Sequence, residues 1–145
     1  MNAKLIQLRL PSEERPILTE FYFKARTGSG ADDYASAFAW DMFQYVADIK
    51  CRDLEDAFYL SNNPDGRDLS AWFKPVGGHR PYSMSVGDLL LTNHEESYPG
   101  KLYRCASVGF DEITDKAVIQ AIINVVQREV RHYEALRELE EVQNA

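Results

Sequence analysis

The sequence is poor in the residue types that most often reveal a chemistry. Its 145 residues include two cysteines and three histidines. Cys51 and Cys105 lie far apart, each in an apolar stretch, and two such residues make no disulfide framework, so they read as buried free thiols. His79, His94 and His132 are not spaced with Cys, Asp or Glu in a metal-binding pattern, and His94-Glu95-Glu96 lacks the second histidine one helical turn on. No metal and no cofactor are expected. Basic residues are outnumbered, 16 against 23 acidic, leaving a net charge of −7. That balance argues against direct nucleic-acid binding and against anionic membranes, which both want clustered Lys and Arg. No run approaches the ~20 apolar residues of a membrane span. Met1-Asn2-Ala3-Lys4 runs straight into strand-like residues without a signal peptide, so a soluble, cytoplasmic protein is the expectation. Catalytic signatures are missing too. There is no Gly-x-Ser-x-Gly elbow, and Gly77-Gly78 lacks the longer glycine pattern and the Lys-Ser or Lys-Thr of a phosphate loop.

Aromatic residues, by contrast, are plentiful: seven Phe, eight Tyr and two Trp. A chain of this length can bury roughly two-thirds of its unfolded surface, enough for one real core. The stretch 82–91, Tyr-Ser-Met-Ser-Val-Gly-Asp-Leu-Leu-Leu, is the centre of the pattern. Gly87 suits a turn needing positive φ, Asp88 can bond nearby backbone, and Leu89 to Leu91 form a short apolar run. A polar tip ending in Pro99-Gly100 leads to a return through Tyr103-Arg104-Cys105, so a β-hairpin with a long tip is predicted. Gly109-Phe110-Asp111-Glu112-Ile113 is expected to close the sheet.

Earlier in the chain, alternation from Ile6 predicts a strand over 5–10, and Phe43-Gln44-Tyr45-Val46-Ala47-Asp48-Ile49 predicts another. Residues 17–25 fit a helical face through Leu18, Phe21, Tyr22 and Ala25. The aromatic run Phe21-Tyr22-Phe23 tilts that reading towards strand or extended structure. Alanines between 31 and 39 predict a helix, and Asp53 is a good N-cap for another over 54–60. Leu69-Ser70-Ala71-Trp72-Phe73 suggests one helical turn. From Thr114 the character changes. Ile119, Ile122, Ile123, Val126, Val130 and Tyr133 recur at helical spacing and predict one long helix over about 115–141. The fold class is therefore α+β: a small antiparallel sheet with short helices over 1–113, and a long C-terminal helix over 114–145 packed on it or projecting from it.

The order of features over about 45–113 resembles the YodL-like domain family. The matching residues are Tyr45-Val46-Ala47-Asp48-Ile49, Asp53-Leu54-Glu55-Asp56-Ala57-Phe58, Asn62-Asn63, Tyr82-Ser83-Met84-Ser85-Val86-Gly87-Asp88-Leu89, Tyr103 and Ser107-Val108-Gly109-Phe110. The most specific part is Ser83-Met84-Ser85-Val86-Gly87-Asp88 followed by Gly109-Phe110. The chain departs from the family where Arg80-Pro81-Tyr82 separates Gly78-His79 from Ser83, and where Ala106 replaces an acid. The resemblance implies a fold and a setting on phages, plasmids or integrated elements, beside antirestriction-type sequences. It carries no reaction with it.

These readings favour a non-catalytic protein-interaction module, an accessory or anti-defence protein acting on a protein partner. The alternative is a small enzyme whose site lies near the central hairpin. The binding candidates there are His79, Arg80, Ser83, Ser85, Asp88 and Tyr103, although Ser83 and Ser85 read more simply as turn-bonding or solvent-facing hydroxyls. Acidic clusters at 32–33, 53–56 and 138–141 read as solubility charge before they read as a mimic of DNA. Val130, Tyr133, Leu136 and Leu139 continue the apolar stripe of the last helix past the domain edge, which predicts a homodimer through that helix.

Overall fold

The computed structural model describes residues 1–95 and 97–144. Strand β1 (Asn2–Leu8) lies inside a six-stranded sheet, with β2 (Phe43–Lys50) on one side and β4 (Leu89–Thr92) on the other. Beyond β2 lies β3 (Phe73–Pro75); beyond β4 lie β5 (Lys101–Cys105) and then β6 (Phe110–Ile113). Every neighbouring pair is antiparallel. The predicted hairpin is β4 and β5, in register Leu90↔Tyr103. Of its tip, Glu96 falls outside the described residues.

The register of β1 on β2 slips between Leu5↔Ala47 and Ile6↔Tyr45, so Val46 is an extra residue. A bulge of this kind lets two successive residues share one face. Val46 and Ala47 accordingly both pack on the side that holds α3 (Leu54–Asn62), with Leu5, Ile49 and Leu90. The other face carries Ile6, Leu8, Phe43, Leu89, Leu91 and Leu102. It is covered by α1 (Pro16–Thr27), α2 (Ala31–Ala39) and α4 (Lys116–Gln143). A sheet buried on both faces explains why the central strands read as unbroken apolar runs rather than as alternation.

The structure corrects the reading of residues 17–25, which are helical. Pro16 stands at the first helical position, where a missing N–H costs nothing, and Leu18 and Ala25 fall on one buried face while Phe23 is exposed. The aromatic run belongs to two sides of a helix, not to a strand. At 69–73 the chain closes one turn, with Phe73 N–H donating to Leu69 O at 2.8 Å. Phe73 then opens β3, a strand the pattern did not predict. Residues 82–87 are not strand-like, so Ser83 and Ser85 share no strand face. Helix α3 starts where Asp53 caps it, its side chain accepting from Asp56 N–H at 2.8 Å. Helix α4 is the long one, and Asp115 caps it through Ala117 N–H at 2.9 Å. Its buried residues Val118, Ile122, Ile123, Val125 and Val126 all lie in its first half, and every residue from Arg131 to Asn144 is exposed.

Candidate functional site

The central stretch is tied to the rest of the chain by one buried ion pair. Asp88 stands just before β4 and is fully buried. Arg26, in the last turn of α1, reaches it with Nη1 at 2.7 Å from Oδ1. Oδ1 also accepts from Leu8 N–H at 3.2 Å; Oδ2 accepts from Ser85 N–H at 2.9 Å and from Gln7 Nε2 at 3.1 Å. The guanidinium has five N–H donors, and all of them are engaged. Nε donates to the Tyr22 hydroxyl at 2.8 Å, Nη1 also to Val86 O at 3.0 Å, and Nη2 to Leu8 O at 3.0 Å and to the Tyr82 hydroxyl at 2.7 Å. Gln7 holds both backbone groups of Tyr82, donating to its carbonyl at 3.0 Å and accepting its N–H at 3.2 Å.

Packing explains why Gly87 must sit beside this pair. Its φ is 91°, in the left-handed region, and a Cβ there would lie 2.6 Å from the Arg26 Cα. Only a residue without a Cβ lets the loop lie on the end of α1. Arg104 fastens the same end from β5, donating to Arg26 O at 2.8 Å.

Burial pushes the Asp88 carboxyl above its ordinary value, against the Arg26 charge and the N–H groups of Ser85 and Leu8. Burial works to lower Arg26, but the Asp88 charge and the Tyr82 and Tyr22 hydroxyls outweigh it, and the guanidinium is held above its ordinary value. The argininium, 2.7 Å away, favours the carboxylate form of Asp88 against its burial. Neither side chain has a polar atom left for a ligand. The constellation joins the end of β1, the end of α1 and the loop 82–88.

The six candidates drawn from the sequence do not converge. Asp88 and Ser85 meet, but through the Ser85 backbone; the Ser85 hydroxyl donates to Ser83 O at 3.2 Å, and both serines are exposed. Arg80 is exposed and its carbonyl accepts from Arg9. His79 lies against α4, its Nε2 3.4 Å from Glu129 Oε2. Tyr103 shares with Cys105 the sheet face that carries α3. An open groove lies elsewhere, of about 1000 Å³ beside α3, reached by Cys51, Tyr59, Leu60, Leu69 and Trp72 and rimmed by charges of both signs. None of the six lines it. Burial pushes the Cys51 thiol up, which keeps it protonated and a weak nucleophile. Among the described residues, no group of three His, Cys, Asp or Glu side chains could hold a metal ion, and no helix is long and apolar enough to cross a membrane.

Sequence reasoning missed Arg26, Gln7 and Tyr22. Gln7 and Arg26 meet Asp88 across 81 and 62 residues, which no local pattern marks, and Tyr22 lies one helical turn before Arg26 in a segment whose aromatic run reads as extended. Of the four residues assigned to oligomerisation, Val130, 40% exposed, lines a shallow depression with Lys4, His94 and Val126, and Tyr133, Leu136 and Leu139 are exposed farther along α4, Leu139 most at 59%. The chain matches no family model, no curated protein and no solved structure.

Proposed function

We propose that this chain is a non-catalytic protein-interaction module that associates with a second copy of itself through the free half of α4. The observation that carries the reading is the helix itself. By Glu129, which meets His79 in the loop after β3, the helix has reached the margin of the sheet. It continues to Gln143, ~20 Å at 1.5 Å per residue, with no buried residue. At ~100° per residue, Tyr133 lies roughly 20° and Leu136 roughly 40° from the mean direction of the buried side chains, while Val130 and Leu139 lie roughly 80° and 100° from it on opposite sides. The stripe that packs on the sheet thus runs on into solvent, and each such side chain gains ~1.5–3 kcal/mol when fully covered.

A second copy suits this surface because the arm mixes both signs of charge. Arg128, Arg131 and Arg137 are interspersed with Glu134, Glu138, Glu140 and Glu141, so two arms need not repel. One helix face is small beside the ~800 Å² per partner of a stable complex, so association in the micromolar range or weaker is the expectation. The sealed Asp88–Arg26 pair and the scattered candidates support binding rather than a reaction. The mobile-element, anti-defence setting rests on the YodL-like resemblance.

Light scattering over a concentration series tests the reading. The full chain should rise towards twice its monomer mass, whereas a chain truncated after Arg131, or carrying Tyr133→Glu with Leu136→Glu, should stay monomeric and folded. A full chain that stays monomeric at millimolar concentration with its helix intact rejects self-association.

A further inference from the structure

The two edges of the sheet are built differently. On β3, Lys50 N–H donates to Trp72 O and Val76 N–H to Val46 O, so Phe73 and Pro75 turn their backbone outward. That outer side has no free donor, because Phe73 N–H is taken by Leu69 O and proline has none. The opposite edge has no such protection. The hairpin between β5 and β6 closes with Ala106 N–H donating to Gly109 O at 3.0 Å. Antiparallel alternation then turns Asp111 and Ile113 towards β5, and the N–H and C=O groups of Phe110 and Glu112 away from it. Outside the β5 ladder these four groups make no backbone hydrogen bond among the described residues. Asp111 and Glu112 are exposed and Phe110 is half-buried.

We infer that the β6 edge is a docking site for an extended, basic segment of another protein, which adds to the sheet as a seventh strand. Backbone pairing would engage Phe110 and Glu112. Side chains on the incoming strand would meet Asp111 on one face of the sheet and Phe110 and Glu112 on the other. Lysine or arginine beside the two acids and an apolar residue beside Phe110 is the complementary pattern. A second copy of β6 fits less well. Two-fold pairing of Phe110 with Glu112 sets Asp111 directly opposite its own copy, and like charges facing each other destabilise a strand pair. This edge lies apart from the free half of α4, so its use does not depend on self-association there.

Amide hydrogen exchange on the full chain tests this. The probe is a blocked heptapeptide, Thr-Thr-Lys-Lys-Val-Thr-Thr, which in antiparallel pairing sets valine beside Phe110 and its two lysines on opposite faces beside Asp111 and Glu112, at about 1 mM to suit weak binding. It should slow exchange at Phe110 and Glu112 by at least about tenfold, with little change at Asp111 and Ile113, which already face β5. The counterpart with both lysines replaced by glutamate should not do so. Glu112→Pro should abolish the protection while the Leu102 and Arg104 amides keep theirs, which shows that β5 still pairs with β6. Asp111→Lys with Glu112→Lys should transfer the preference to the glutamate peptide. Equal protection by both peptides, or by neither, overturns the inference. So does concentration-dependent protection without peptide, which would assign the edge to a second copy.

Discussion

Asp88 and Arg26 show how a residue can look like chemistry in a sequence and act as a fastening in the fold. A carboxylate after Ser-x-Ser-x-Gly invites a catalytic reading, yet here it receives an argininium and three further N–H groups. Removing one partner strands the other charge in a buried setting, so Asp88→Ala should destabilise by about 3–5 kcal/mol in urea unfolding. The double replacement Arg26→Met with Asp88→Leu should recover part of that loss, because it removes both charges together. A double variant as unstable as the sum of the singles would mean that the backbone partners, not the pair, carry the energy. Gly87→Val meets two penalties, a left-handed φ and overlap with the Arg26 backbone, and should cost about 3 kcal/mol or more. An unchanged melting temperature would show that the loop 82–88 can leave the end of α1 freely.

At the scale of elements, what was legible followed local rules. The cap at Asp53, the hairpin of β4 and β5, the closing strand β6 and the long helix α4 all announce themselves within a dozen residues. Each stood close to where it was read, though β1 runs 2–8 rather than 5–10. The failures are cases where distant structure decides. Residues 17–25 have aromatic content for a strand and spacing for a helix, and what settles it is a sheet face over β1 and β4 that needs cover. Strand β3 is three residues long and exists because β2 offers it a ladder. The six site candidates clustered near one loop in sequence, but alternation, burial and the positive φ at Gly87 sent them in different directions. The local rules remain testable. Asp53→Ala removes the bond to Asp56 N–H and should cost ~1 kcal/mol. Thermal melts that show no loss would mean that α3 is held by Ala57 and Leu60 packing alone.

For the molecule as a whole, the pH dependence of stability follows from which hydroxyls the fold encloses. Burial pushes Tyr34 up to about 12, against the nearby Arg104 charge. Tyr45 is raised by burial and by its bond to Asp48, and Tyr82 by burial and by the Asp88 charge. Burial also raises both thiols, Cys51 and Cys105. All five groups are neutral when protonated, and all five keep their protons in the folded chain at a pH where the unfolded chain has begun to lose them. Their contribution is therefore complete below the unfolded values, ~8.5 for Cys and ~10 for Tyr, and is lost as pH rises above them. Each tyrosine removes up to ~1.4 kcal/mol per pH unit above ~10 until its folded value is reached. The tyrosines sit in different parts of the fold: Tyr34 under the helices, Tyr45 on β2, Tyr82 against Arg26. Alkaline unfolding should then be cooperative, with these three enclosed hydroxyls ionising together with the loss of circular dichroism. Urea midpoints that stay level from neutral pH to about 11 would contradict the burial of these hydroxyls.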